Sequence, residues 1–205
     1  MIGSHAIEPR LTCIQTPFSV FLLAAIASIA FIPPAASQQN SAAAPGTTEI
    51  APRGQREARD IAYGDWSKFC FKPGGAKMIC RTSITGKFVT GQTAVRLDIV
   101  EREGDGTARL QVFCPVGMYL PKPVKLTVDK AKPHVVPYTW CLTNACIAGA
   151  AADPKMVKEM DSGQTLRLEF VDSNLLSLAT SLPLGQFAAV HKAAPAQVFE
   201  QDIDE

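Results

Sequence analysis

The sequence predicts an all-β domain: a β-sandwich of roughly seven or eight strands with one short helix, stapled by disulfides. Three observations carry this reading. Between Tyr63 and His191 apolar residues recur mostly at every second position. Turn residues interrupt that alternation about every ten positions. Five of the six cysteines follow residue 60 and stand behind an apolar N-terminal run, the pattern of a chain exported to an oxidising compartment.

Residues 1–37 read as a signal peptide. Phe18 to Ile32 is apolar and uncharged, the length of a signal core and short for a bilayer span. Pro33-Pro34 ends it, and Ala35-Ala36-Ser37 offers small residues for cleavage before Gln38. Cys13 leaves with the signal, and the mature chain is expected to carry no transmembrane span. Residues 38–61 are rich in Ala, Pro and polar residues with no apolar period, so they read as a flexible leader. Residues 62–192 form the domain. Residues 193–205 are an acidic tail with Glu200, Asp202, Asp204 and Glu205. The net charge of +1 leaves no basic stripe, which argues against nucleic acid as a partner.

Tyr63 to Lys72 and Lys77 to Ile84 read as a hairpin around Pro73-Gly74-Gly75. Centring the pairing on Gly75 sets Cys70 opposite Cys80, Phe71 opposite Ile79 and Trp66 opposite Ile84. Ala94 to Arg102 and Thr107 to Cys114 form a second hairpin, with Glu103 to Gly106 as its loop. Its register pairs Ile99 with Leu110, Leu97 with Val112 and Val95 with Cys114. The opposite face carries Arg96, Asp98, Arg109 and Gln111, and a one-residue slip would bury those charges. Val124, Leu126 and Val128 alternate with polar residues, and His134 to Trp140 follows as a further strand. Asp153-Pro154 opens the helix as N-cap and first-turn proline. Met156, Val157 and Met160 supply its apolar side, and Gly163 ends it. Leu166, Leu168 and Phe170 alternate again, and after Asp172-Ser173-Asn174 the residues Leu176 and Leu178 are expected to pair back onto Phe170 and Leu168.

Several pieces resemble the invasion-associated locus B family of small exported bacterial proteins. They are Tyr63-Gly64-Asp65-Trp66, with Cys70 and Cys80 following, and Pro115-Val116-Gly117-Met118-Tyr119-Leu120-Pro121. Pro137-Tyr138-Thr139-Trp140-Cys141 with Cys146, and Leu184-Gly185-Gln186-Phe187, complete the set. The likeness spans Ile61 to Ala194. It implies an immunoglobulin-like β-sandwich in the periplasm, at the cell surface or secreted, and a family named for host-cell invasion. It supplies no catalytic residues. Cys114 departs from the family pattern, where an aliphatic residue precedes the Pro-x-Gly.

The cysteines are expected to form bridges Cys70–Cys80, from the hairpin register, and Cys141–Cys146, across a four-residue loop. Structural zinc is the alternative, but its cysteine pairs stand two to four residues apart, which Cys70 and Cys80 do not match. Cys114 remains as a free thiol, an inward core residue. His134 is expected to face solvent. Asp98, Glu101 and Glu103 read as solvated charge with no convergence on a pocket. If any of Tyr119, Leu120, Tyr138 and Trp140 is exposed, that set is the best contact surface. No catalytic, cofactor-binding or metal-ligating residue is assigned. The sequence therefore points to a non-enzymatic exported module that binds a protein or envelope component. Its alternative is a periplasmic accessory factor with thiol chemistry at Cys114; a hydrolase with a noncontiguous site has no positive support.

Overall fold

The computed structural model describes residues 50–58 and 60–201. The signal at 1–37, the first part of the leader and the last four tail residues lie outside the described residues. In chain order the strands begin with β1 (Gly54–Glu57), β2 (Ile61–Tyr63), β3 (Ser67–Pro73), β4 (Ile79–Phe88), β5 (Thr93–Arg102) and β6 (Arg109–Cys114). They continue with β7 (Val124–Val128), β8 (His134–Val136), β9 (Tyr138–Cys141), β10 (Cys146–Ala151), β11 (Thr165–Val171), β12 (Leu176–Pro183) and β13 (Gln197–Gln201). Helix α1 (Pro154–Ser162) lies between β10 and β11, and α2 (Phe187–Lys192) between β12 and β13.

Two sheets result. The smaller runs β1-β12-β11-β7-β8, and the larger runs β13-β3-β4-β5-β6-β10-β9, with β2 pairing onto β4. Their inner faces share one apolar core. Leu97, Ile99, Leu110 and Val112 enter from the larger sheet and Leu126, Leu166, Leu168 and Leu182 from the smaller, all at most 1% exposed. Each such side chain contributes roughly 1.5–3 kcal/mol on burial. A hydrogen bond of 2.8 Å between the Tyr63 hydroxyl and Thr180 Oγ1 also joins the two sheets.

The hairpin registers follow the alternation. Cys70 pairs with Cys80 and Phe71 with Ile79. Leu97 pairs with Val112 and Ile99 with Leu110. At β11–β12 the pairing is offset by two residues from expectation: Leu178 faces Phe170 and Thr180 faces Leu168. The Asp172 carboxylate causes this, because it accepts the N–H groups of Asn174 and Leu176 at 2.9 Å each and widens the turn. An offset of two keeps the same residues inward. His134 to Trp140 is two strands, not one. Pro137 has no N–H to give a ladder, and at that point the chain passes from the smaller sheet to the larger.

The first and last described strands correct the sequence reading. Gly54–Glu57, assigned to the leader, pairs in parallel with β12, and Gln197–Gln201, assigned to the tail, pairs in parallel with β3. Polar composition hides both, since an edge strand need not alternate. The predicted helix is present: Asp153 caps it by accepting from the Lys155 N–H at 2.9 Å. Gly163 follows it where a Cβ would stand 2.5 Å from Val128 Cγ1, so only glycine fits without a shift. The second helix, α2, is too short to show a helical period. Its Phe187 is fully buried and meets Trp66 edge-on at 4.8 Å between ring centroids.

In the structure Cys70 is bonded to Cys80 and Cys141 to Cys146. Each bridge joins directly opposed residues of neighbouring strands within the larger sheet. Replacing Cys70 and Cys80 together with Ala should lower stability by roughly 2–3 kcal/mol, the chain-entropy value for so short a loop. Urea denaturation of the oxidised wild type and the double variant measures it; equal midpoints would contradict it.

Candidate functional site

The outer face of the larger sheet gathers aromatic and charged side chains around a hollow. The alternation that sends Leu97 and Ile99 inward sends Arg96 and Asp98 outward from β5. From β6 it sends out Gln111 and Phe113. From β3 and β13 come Phe69, Phe71 and Phe199, with Phe199 standing opposite Phe71 in the parallel pairing. These side chains, with Ile79, Arg81 and Val100, enclose an open groove of about 610 Å³. A neighbouring hollow of about 540 Å³ shares Phe69, Arg81 and Arg96, and runs over Ser83, Thr85 and Lys87 of β4.

Asp98 lies at the floor. The sequence reading as solvated charge is wrong for this residue, which is 1% exposed. Its carboxylate accepts from Ser83 Oγ at 2.8 Å and meets Arg96 Nε at 3.1 Å. Burial pushes the Asp98 carboxyl above the usual range, while Arg96, Ser83 and Arg81 oppose that shift. The Arg96 guanidinium is also held 3.7 Å from the Phe113 ring centroid, which fixes its plane between an anion and an aromatic face. Along the rim, Phe71 and Phe199 remain 38% and 47% exposed. Phe199 and Phe69 approach to 6.3 Å between centroids. Apolar walls, a guanidinium floor and exposed rings suit contact with another molecule.

Other residues singled out from the sequence fall elsewhere. His134 is not a free surface group: its Nε2 is 3.0 Å from Glu159 and its Nδ1 3.7 Å from Asp153, so it ties β8 to α1. Glu101 lies beside Lys68 and His191. The set Tyr119, Leu120, Tyr138 and Trp140 is divided. Tyr138 packs on the core. Trp140 is exposed on the edge strand β9, and Leu120 is exposed in the loop before β7.

Cys114 is buried at 1% exposure, and burial pushes its thiol up to about 12. The Tyr138 hydroxyl makes no hydrogen bond of good geometry. It nevertheless lies near enough to Cys114 to oppose that shift. Among the described residues no group of three His, Cys, Asp or Glu side chains is placed to hold a metal ion. No helix among them is long and apolar enough to cross a membrane.

Sequence reasoning placed Arg96 and Asp98 on this face but missed the groove. Its far wall comes from Phe199, in a segment read as tail, and the only available signal was the Val198-Phe199 pair within it. The pieces of the family resemblance are joints of the scaffold. Gln186 accepts from the Trp66 N–H at 3.3 Å and donates to Asp65 at 3.1 Å, and Trp66 Nε1 donates to the Pro183 carbonyl at 2.8 Å. Tyr63-Gly64-Asp65-Trp66 and Leu184-Gly185-Gln186-Phe187 thus lock together.

The sequence model of the family described as "Invasion associated locus B (IalB) protein" matches residues 66–195. The fold is similar to the crystal structure of invasion associated protein b from Bartonella henselae. The TM-score is 0.56 at 23% identity, over 63% of this chain and 90% of that one. No curated protein sequence matches the chain.

Asp98 gives a pH signature. Its native carboxyl holds a proton to higher pH than the unfolded one. The native state therefore binds more protons in that interval, and stability falls as pH rises from about 4 through the raised native value. Asp98→Asn lacks this titration. The stability of wild type relative to Asp98→Asn, from urea midpoints across the acid range, should decline as pH rises; a flat difference would contradict the burial of this group.

Proposed function

The chain belongs to the Invasion associated locus B (IalB) family, and from that premise we propose that it is an exported, non-enzymatic binding module that uses the outer-face groove to hold a protein partner. The observation that carries this is the convergence of Phe71, Phe199, Phe113 and two arginines around buried Asp98. Interfaces favour such aromatic and Arg anchors, which give contact area at low entropic cost. The exposed Phe71 and Phe199 rings suit an apolar side chain, and exposed Arg81 beside them suits a carboxylate. The fitting partner is thus a protein segment with an apolar anchor next to an acidic residue.

Export is supported by the apolar run at Phe18 to Ile32 and by two disulfides, which persist in oxidising compartments. The periplasm, the cell surface and the secreted state all meet that condition. Host-cell contact is what the family's name implies for the partner.

The test uses the oxidised full chain as bait for envelope and host-surface extracts, followed by titration of the purified partner. Phe71→Ser/Phe199→Ser should keep the thermal midpoint and weaken the partner about tenfold or more, as loss of two anchors does. Equal affinity of both proteins would sink the groove as the contact surface.

A further inference from the structure

Three cysteines stand in one row across three neighbouring strands. Cys114 of β6 pairs directly with Cys146 of β10, and Cys146 pairs directly with Cys141 of β9. Directly opposed residues of antiparallel strands project to the same face, so the three sulfurs share the inner face of the sheet. The row grades from core to solvent: Cys114 is 1% exposed, Cys146 is 3% exposed, and Cys141 is exposed on an edge strand. The bond lies between the outer two, and the free thiol is at the inner end.

The other bridge has no third sulfur. Across from Cys80 on β5 stands Glu101, and across from Cys70 on β13 stands Val198. A Cys114–Cys146 bond, by contrast, would join directly opposed residues of neighbouring strands, the relation both existing bridges use. Such residues lie about 4.5–5.5 Å apart at Cα, a span disulfides accommodate. Thiol–disulfide exchange requires the attacking sulfur, the attacked sulfur and the leaving sulfur close to one line. With β10 between β6 and β9, the row supplies that order.

We propose that Cys114, Cys146 and Cys141 form an internal thiol–disulfide relay that carries the free thiol from the core to the edge of the sheet. The Cys114 thiolate attacks Cys146 Sγ, a Cys114–Cys146 bond forms and the Cys141–Cys146 bond breaks. Cys141 leaves as a thiolate and takes up the proton Cys114 gave to solvent. One thiol and one disulfide stand on each side of the step, so no oxidant or reductant is consumed. The released Cys141 thiol would in turn take as substrate a disulfide on another molecule, forming a mixed disulfide and freeing one of that molecule's thiols. This is independent of the groove, which lies on the opposite face of the sheet.

The same burial keeps the relay slow at rest. Only thiolate attacks, and the Cys114 thiol is pushed up to about 12. Tyr138 of β9 opposes that rise, while Cys114 itself pushes up Tyr63 of β2 and Tyr138, both held above the ordinary phenol range chiefly by burial. Neither competes for the proton below that range. The thiolate fraction, and with it the exchange rate, should therefore rise about tenfold per pH unit up to the thiol's own value.

The test treats the folded, oxidised full chain with a polyethylene-glycol maleimide too large to enter the core, from pH 7 to pH 10. Peptide mapping without reduction reads each cysteine separately, Cys13 included, and circular dichroism at each pH verifies that the fold is kept. The expected product carries the label on Cys141 with Cys114 linked to Cys146, and it accumulates about tenfold faster per pH unit. Cys114→Val and Cys114→Ala should each leave Cys141 unlabelled. Label on Cys114 with the Cys141–Cys146 bond intact, label on Cys141 in either variant, or no label while the chain is folded would each overturn the relay.

Discussion

The alternation of β5 sets both faces of the larger sheet at once, and the rest of the molecule depends on it. β5 sits between β4 and β6, with β3 and β13 beyond β4 and β10 and β9 beyond β6. Val95, Leu97 and Ile99 must enter the core, each at most 1% exposed. Arg96 and Asp98 are then committed to the outer face, and a slip of one residue would exchange the two sets at a cost of several buried side chains. The groove is thus a consequence of core register. Its floor is as fixed as the core, which holds the Arg96 plane in place.

The residues that mark the family have a different job. Asp65 and Trp66 meet Gln186 and Phe187 across more than a hundred residues of chain. The Pro115 to Pro121 segment closes the other part of the scaffold, where the Tyr119 N–H donates to Val171 O at 2.8 Å and Gly117 takes a positive φ of 85°. These contacts hold the sheets together around the core. The groove draws instead on residues such as Arg81, Phe71 and Phe199, outside those pieces.

Much of the fold was legible because apolar alternation is a local signal. Both hairpin registers and the capped helix at Asp153-Pro154 could be read from adjacent residues. What was lost was non-local or too short to show a period. α2 has fewer than two turns, and the strand through His134 to Trp140 looked continuous because Pro137 marks a change of sheet only when both sheets are known. The site was half legible. The outward positions of Arg96 and Asp98 followed from β5. The burial of Asp98 did not, because it depends on Ser83 across one ladder and on an aromatic wall supplied by the last described strand. The cysteine row was hidden for the same reason: the 114 to 146 pairing belongs to a contact between strands separated by a helix-free but turn-rich stretch and by a whole excursion into the other sheet.

Both bridges lie in one layer. The larger sheet carries Cys70–Cys80 near one edge and Cys141–Cys146 at the other, while the smaller sheet has no covalent link among the described residues. An antibody domain bolts its two sheets together through the core; here the layers are joined by packing, by a few hydrogen bonds such as Tyr63 to Thr180, and by the chain itself at crossings such as Pro137. The sandwich is therefore a braced plate with an unbraced one laid on it. Slow hydrogen exchange should concentrate in β4, β5 and β6, and the earliest cooperative opening should belong to the smaller sheet. A pull applied from the N-terminal side of the described residues would reach β1, an edge strand of that unbraced plate, before it reached either of these two bridges.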